Sequence, residues 1–250
     1  MLEINEIFGP TIQGEGKCAG NPSVFIRFGK CNMLCPGFEV EYETPSGIKK
    51  FGCDSFYASD SAFRNEWKKY KTSQSLIDEV SKILPKYKVD IVITGGEPLL
   101  YWHDLEFQKF LKYYVDNDYL VTIETNASID IQLKEKWHEK ILFSMSVKLS
   151  NSSEKISKRI NIQTLNNIIN KSKASYLKFV LDKCFIKNAT NEIDDIMKQI
   201  PDCDVYLMPL GDTSELIDTN SLSAIELALE KGYKYSDRLH IRVWNNKRGV

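Results

Sequence analysis

Apolar and polar positions settle into a repeating rhythm after residue 70. Leu76, Ile77, Val80, Ile83 and Leu84 fall on one helical stripe, with Thr72 and Ser73 as caps and Pro85 just beyond. Val89-Asp90-Ile91-Val92-Ile93-Thr94 then forms a β-branched run broken by Gly95-Gly96, which predicts a strand and a tight turn. The cycle repeats. Strands are predicted near 120–124, 141–147, 176–181, 204–208 and 238–243, and helices near 104–116, 130–138, 160–171, 190–199 and 220–231. Ser23 to Phe28 supplies an earlier strand. Such alternation means right-handed βαβ units and a parallel sheet. Periodicity does not choose between an open doubly wound sheet and a complete or partial barrel.

One segment breaks the rhythm. Within 36–52, Val40-Glu41-Tyr42 and Ile48 to Phe51 flank Thr44-Pro45-Ser46-Gly47, and the pattern predicts a β-hairpin. The Lys/Ser/Asn-rich stretch 148–158 reads as a surface loop. No internal repeat or long linker divides the 250 residues, so a single domain is expected.

Composition narrows the class. With 33 basic and 34 acidic residues, the net charge of -1 leaves no footprint for non-specific nucleic-acid binding. Met1 to Gly16 carry three glutamates and no apolar core of a signal peptide, and no apolar run is long enough to span a bilayer. The expectation is a soluble, cytoplasmic protein with no membrane partner. Six cysteines in a reducing compartment then favour metal, redox or packing roles over disulfides.

Cys31 follows the Ser23–Phe28 strand after two residues, and Cys35 lies three intervening residues later. Cys53 is distant in sequence, but a hairpin over 36–52 would bring it back to Cys35. Three thiolates converging at one strand end suit a metal centre. Spacing alone does not separate iron–sulfur from zinc, although structural zinc usually takes four protein ligands and a three-cysteine cluster leaves one iron open.

Cys31-Asn32-Met33-Leu34-Cys35 resembles the start of the CxxxCxxC signature of radical S-adenosylmethionine (SAM) enzymes. The third cysteine of that signature would stand at 38, where the chain has Phe38; Cys53 is the substitute, displaced by the hairpin. The chain is similar to one family with variable insertions in this loop, the 7-carboxy-7-deazaguanine synthases. The resemblance implies a partial (β/α) TIM-like barrel of the radical SAM type, with 36–52 inserted in the cluster loop. It also implies a 4Fe-4S cluster on Cys31, Cys35 and Cys53.

Further motifs carry the resemblance. Ile12-Gln13-Gly14-Glu15-Gly16 resembles the family's substrate loop and Arg27 its substrate arginine. Gly14 and Gly16 permit close backbone approach, and Arg27 offers a fork for a carboxylate. Cys53-Asp54-Ser55 resembles a Cys-Asp-Thr element, which implies Mg2+ on the Ser55 hydroxyl. In Thr94-Gly95-Gly96-Glu97-Pro98, the resemblance implies substrate contact for Thr94 and SAM contact for Gly96, with Glu97 an acceptor for an ammonium. It implies SAM contacts for Glu124 and Asn126 of Glu124-Thr125-Asn126, for Ser146, Val147 and Lys148, and for Met208, Pro209, Leu210 and Gly211. Val250 resembles a terminal residue that reaches substrate. Cysteines, TGGEP, ETN, SVK and MPLG all fall at C-terminal strand ends, where active sites of parallel α/β folds assemble.

The implied reaction is a radical ring contraction of 6-carboxy-5,6,7,8-tetrahydropterin to 7-carboxy-7-deazaguanine with loss of ammonia, a lyase step on the route to queuosine and other deazapurines. SAM is regenerated and acts as a cofactor. Implied partners are the pterin, an external flavodoxin-like or ferredoxin-like electron donor, and a second copy in a homodimer. The alternatives are another radical SAM enzyme, such as a glycyl-radical activase, and a zinc-binding interaction module. No general base is singled out.

Overall fold

A computed structural model describes residues 1–250. In chain order the strands are β1 (Leu2–Ile12), β2 (Pro22–Phe28), β3 (Val40–Glu43), β4 (Lys49–Gly52), β5 (Lys68–Tyr70), β6 (Asp90–Gly95), β7 (Val121–Thr125), β8 (Leu142–Ser146), β9 (Tyr176–Leu181), β10 (Asp204–Pro209) and β11 (Lys234–Tyr235). The helices are α1 (Phe56–Ser59), α2 (Ser73–Ser81), α3 (Leu105–Asp116), α4 (Ile156–Arg159), α5 (Ile162–Lys171), α6 (Ile186–Met197), α7 (Ser214–Lys231) and α8 (Leu239–Trp244).

Nine strands make one sheet in the order β11-β10-β9-β8-β7-β6-β2-β1-β5. Every pairing from β2 to β11 is parallel, whereas β1 runs antiparallel to both β2 and β5. The sheet has two ends, β5 and β11, and residues of β2 and β6–β10 line one cavity, the arrangement of a partial barrel. β3 and β4 form a separate antiparallel hairpin, as the pattern of 36–52 predicts.

Strand residues alternate between two environments, because successive side chains point to opposite faces. Ile26, Phe28, Ile93, Ile123, Phe143, Met145, Leu177, Phe179 and Leu207 join the helix-side core. Arg27, Thr94, Glu124, Ser146, Lys178 and Met208, on the same strands, line a cavity of about 890 Å3. Polar residues inside otherwise apolar strands therefore mark the concave face.

The helices cover the other face. α2 starts where Thr72 Oγ1 accepts from the Ser75 amide at 3.3 Å, and it buries Leu76, Ile77 and Val80. α7 is capped by Thr213 and ends on Gly232, whose φ of 69° is the left-handed conformation glycine adopts without a Cβ penalty. It begins six residues before the predicted boundary, because its first turns are polar. No helix is long and apolar enough to cross a membrane.

Two predicted elements differ in type. Residues 130–138 form no α-helix: an extended stretch leads into a 3-10 turn at Lys136–Lys140. Ile131 and Leu133 are buried at a spacing of two, and α5 satisfies this backbone, with Thr164 donating to the Ile129 carbonyl and Asn167 to that of Ile131. The predicted strand at 238–243 is helix α8. Leu239, Ile241 and Val243 alternate as in a strand, yet only Ile241 is buried, and Arg238 is drawn into the cavity. A six-residue window does not separate the two periods, and tertiary contacts decide. Strands β1, β5 and β11 lie outside the predicted set; in β1 the buried Glu3, paired with Lys30 and Arg64, breaks the apolar alternation.

Candidate active site

The cluster loop leaves β2 through Gly29 and Lys30. Cys31 Sγ accepts a hydrogen bond from the Met33 amide at 3.3 Å. Cys35 sits in the left-handed region, φ 53°, and its strained backbone is held by Glu154, which accepts from the Leu34 and Cys35 amides at 2.7 and 3.1 Å. The hairpin then returns the chain, and the Cys53 amide donates to the Leu34 carbonyl at 3.2 Å. All three thiols border the cavity, as does Phe38.

Burial pushes the Cys31 thiol well above its ordinary range, Cys35 up to about 12, and Cys53 upward. Such thiols keep their protons until a metal displaces them. No three Cys, His, Asp or Glu side chains gather closely enough to hold one ion. Three thiols bordering one cavity, one with an N–H···S bond, fit a multi-iron cluster whose ligands occupy separate corners. Cys18 packs with Leu142, Tyr176 and Tyr206, and the remaining Cys184 and Cys203 are also absent from the cavity wall.

The Ile12–Gly16 loop enters from the opposite side. Because β1 is antiparallel, the segment after Ile12 lies at the N-terminal edge of the parallel strands. Gly16 packs on the Tyr176 hydroxyl at the start of β9, and Lys17 reaches Asp204 at the start of β10. The loop thus floors the barrel, and Ile12, Gln13, Gly14 and Glu15 line the cavity. Gln13 Nε2 donates to Glu124 Oε1 at 3.1 Å, and Thr94 Oγ1 donates to Glu124 Oε2 at 2.7 Å. Glu124 therefore joins floor and wall.

Arg27 is fixed on one edge. Its Nε donates to Glu6 Oε1 at 2.7 Å, and its guanidinium lies 5.7 Å from both the Phe8 and Tyr57 ring centroids. Nη1 lies 3.4 Å from Ser55 Oγ. The terminal nitrogens of this fork are thus left toward the cavity, beside Ser55 and Asp54.

Glu15 is buried in a charge network that sequence reading does not show. It accepts from Lys178 of β9, and from Arg238 Nε at 2.9 Å, with His240 Nε2 at 3.9 Å. Burial alone pushes its carboxyl up, but Lys178 and Arg238 outweigh that and hold it well below the ordinary range. Burial lowers His240, so its ring is neutral at pH 7. Gly14 is required here, since an added Cβ would lie 2.0 Å from His240 Nδ1.

Gly96, Asn126, Ser146, Lys148, Met208, Leu210, Gly211 and Val250 also reach the cavity. The Gly96 amide is spent on the Phe28 carbonyl, and a Cβ there would lie 2.1 Å from the Lys30 carbonyl. Lys148 Nζ donates to Ser146 Oγ at 2.9 Å, and Asn126 Nδ2 to Asn32 Oδ1 of the cluster loop at 2.9 Å. The tail is steered by Arg248, whose Cζ lies 3.6 Å from the Tyr57 ring centroid.

Three of the expected residues lie off the cavity wall. Glu97 is fully buried and accepts from the Leu99 amide, Thr125 Oγ1 and the Asn126 amide at 2.9, 2.6 and 2.7 Å. Both oxygens accept hydrogen bonds from the protein, so Glu97 braces the loops after β6 and β7. Val147 joins the helix-side core, and Pro209 is buried at the end of β10; neither lines the cavity. Alternation at strand ends explains both. Glu6, Asp54, Lys178, Arg238, His240 and Glu154 went unselected in the sequence. The polar Lys178 within the apolar run Tyr176–Leu181 is the signal that marked it.

No family model matches the chain. Among curated proteins, the 7-carboxy-7-deazaguanine synthase of Halobacterium salinarum is 32% identical over 98% of this chain and 91% of its own length. That of Rhodopirellula baltica is 30% identical over 100% and 89%. Among solved structures, QueE from Escherichia coli superposes with a TM-score of 0.66 at 21% identity, covering 96% of this chain and 94% of that one, a likeness of fold. Near-full-length similarity at this identity, on a partial barrel with three thiols in its cavity, leaves one conclusion: the chain belongs to the 7-carboxy-7-deazaguanine synthase family.

Proposed function

We propose that this cavity converts 6-carboxy-5,6,7,8-tetrahydropterin, with release of ammonia, to 7-carboxy-7-deazaguanine, the product its relatives are named for. The observation that carries the reading is one cavity bordered by Cys31, Cys35 and Cys53 and by the Gln13, Arg27 and Glu124 group. The cysteines would hold a 4Fe-4S cluster, with SAM against Gly96, Asn126, Ser146, Lys148 and the Met208–Gly211 segment. When bound and reduced by an external one-electron donor of flavodoxin or ferredoxin type, this pair supplies a hydrogen-abstracting radical.

The chain's own residues bind and orient. Arg27, aligned by Glu6, pairs with the substrate carboxylate through its terminal nitrogens. Gln13 and Thr94 present donors and acceptors to the polar pterin edge, and Glu124, expected from the sequence to contact SAM, joins them there through its hydrogen bonds to both. Ser55 Oγ, with Asp54 Oδ1 3.3 Å away, offers hard oxygens for Mg2+ beside that carboxylate. Lys178 and Arg238 are paired with Glu15 and Asp54, whereas Arg27 gives only its Nε to Glu6 and keeps its terminal nitrogens for the anion. Val250 closes the cavity from the tail.

The test is anaerobic reconstitution with iron and sulfide, then incubation with the carboxypterin, SAM, Mg2+ and a reductant. The expected product is 7-carboxy-7-deazaguanine with catalytic use of SAM. SAM cleavage without that product would overturn the reading.

A further inference from the structure

Arg238 arrives from the far C-terminal segment and meets three separate loops at once. Its Nε donates to Glu15 Oε1 at 2.9 Å, in the floor loop. Its Nη2 donates to Asp54 Oδ2 at 2.7 Å, in the cluster loop directly after Cys53. Its Nη1 donates to the Gly211 carbonyl, in the loop after β10. The side chain is 11% exposed. A planar fork with five fixed donors can hold three acceptors in set directions, whereas an ammonium is a point charge on a flexible stem.

Each of the two carboxylates keeps its other oxygen for a neighbour in the site. Glu15 Oε2 takes Lys178, and Asp54 Oδ1 faces Ser55 Oγ at 3.3 Å. The fork thus fixes the rotation of both carboxylates as well as the spacing of the loops that bear them.

We propose that Arg238 is a positioning residue that locks the floor, cluster and β10 loops into one relation and thereby sets the spacing of substrate and cofactor. This rests on the synthase reading of the cavity. Misplacement of reactants by about 1 Å costs on the order of a hundredfold in rate.

Arg238→Lys keeps the charge and removes the fork, and Arg238→Ala removes both. The unloaded proteins are compared by amide hydrogen exchange, and the reconstituted ones by iron content, product formed and 5′-deoxyadenosine released per product. Arg238→Lys is expected to keep wild-type iron and to lose protection together at 13–16, 53–55 and 210–213. Its product rate falls on the order of a hundredfold, and 5′-deoxyadenosine per product rises at least roughly tenfold as cleavage uncouples from productive transfer. Should Arg238→Ala fail to fold, Arg238→Lys carries the test. Wild-type coupling and protection in Arg238→Lys would overturn the proposal, as would exchange confined to 236–242. A wild-type protein inactive on the carboxypterin would instead sink the synthase reading, and the exchange pattern would still judge the three-loop lock.

Discussion

The amide of Cys53 donates to the carbonyl of Leu34 at 3.2 Å. That single bond lays the end of the hairpin against the start of the cluster loop. It brings a cysteine far along the chain back to the loop where the signature cysteine is missing at Phe38. The hairpin is closed by β3–β4 pairing, with Val40 opposite Gly52, and Tyr42 packs in an aromatic cluster with Phe56, Phe63 and Trp67. Cys53 is therefore positioned by a folded unit.

Cys53→Ala should abolish cluster assembly, and Cys18→Ala should not. Iron content and the absorbance near about 400 nm, where thiolate-bound clusters absorb, check both. Equal iron in Cys53→Ala and wild type would refute the ligand choice.

Ser55→Ala should weaken the response of activity to Mg2+ while iron content stays at the wild-type level. The hydroxyl supplies a hard oxygen, and alanine leaves none. A titration of rate against Mg2+ decides; an unmoved midpoint removes Ser55 from the site.

Gly14→Ala should displace the His240 ring, because the new Cβ would lie 2.0 Å from Nδ1. Activity should fall on the order of a hundredfold through misplacement of the floor loop. The clash is borne by a side chain at the cavity wall, so the unfolding transition should stay cooperative. Wild-type rates in this variant would show that His240 moves without cost.

Glu15→Gln should cost about 3–5 kcal/mol at neutral pH, since it leaves the buried Lys178 without its carboxylate and Arg238 with Asp54 alone. The folded carboxyl sits well below its ordinary value of 4.5, so its contribution is complete above that pH and fades as pH falls below it. Thermal unfolding across pH should show the gap between wild type and variant narrowing only on the acid side. A gap that widens there would reverse the assigned sign.

Much of this protein was legible in one dimension. β-branched runs and capped apolar stripes located most of β2 and β6–β10 and the helices between them, because local periodicity reports which face is buried. The turn residues of 36–52 placed the hairpin, and motif order put the cysteines, Gly96, Asn126, Lys148 and Gly211 on one edge. Three things needed the tertiary structure. The antiparallel course of β1 sends Gln13 and Glu15 into the cavity from its floor, a direction no local pattern encodes. Glu97 looks like a free acceptor in sequence, yet packing of two adjacent βα loops consumes both its oxygens. Arg238 and His240 lie in a short alternating stretch that reads as a strand, and only long-range charge pairing turns it into a helix that completes the site. Sequence periodicity fixes what each segment can bury; which distant charges share that burial is settled when the chain closes on itself.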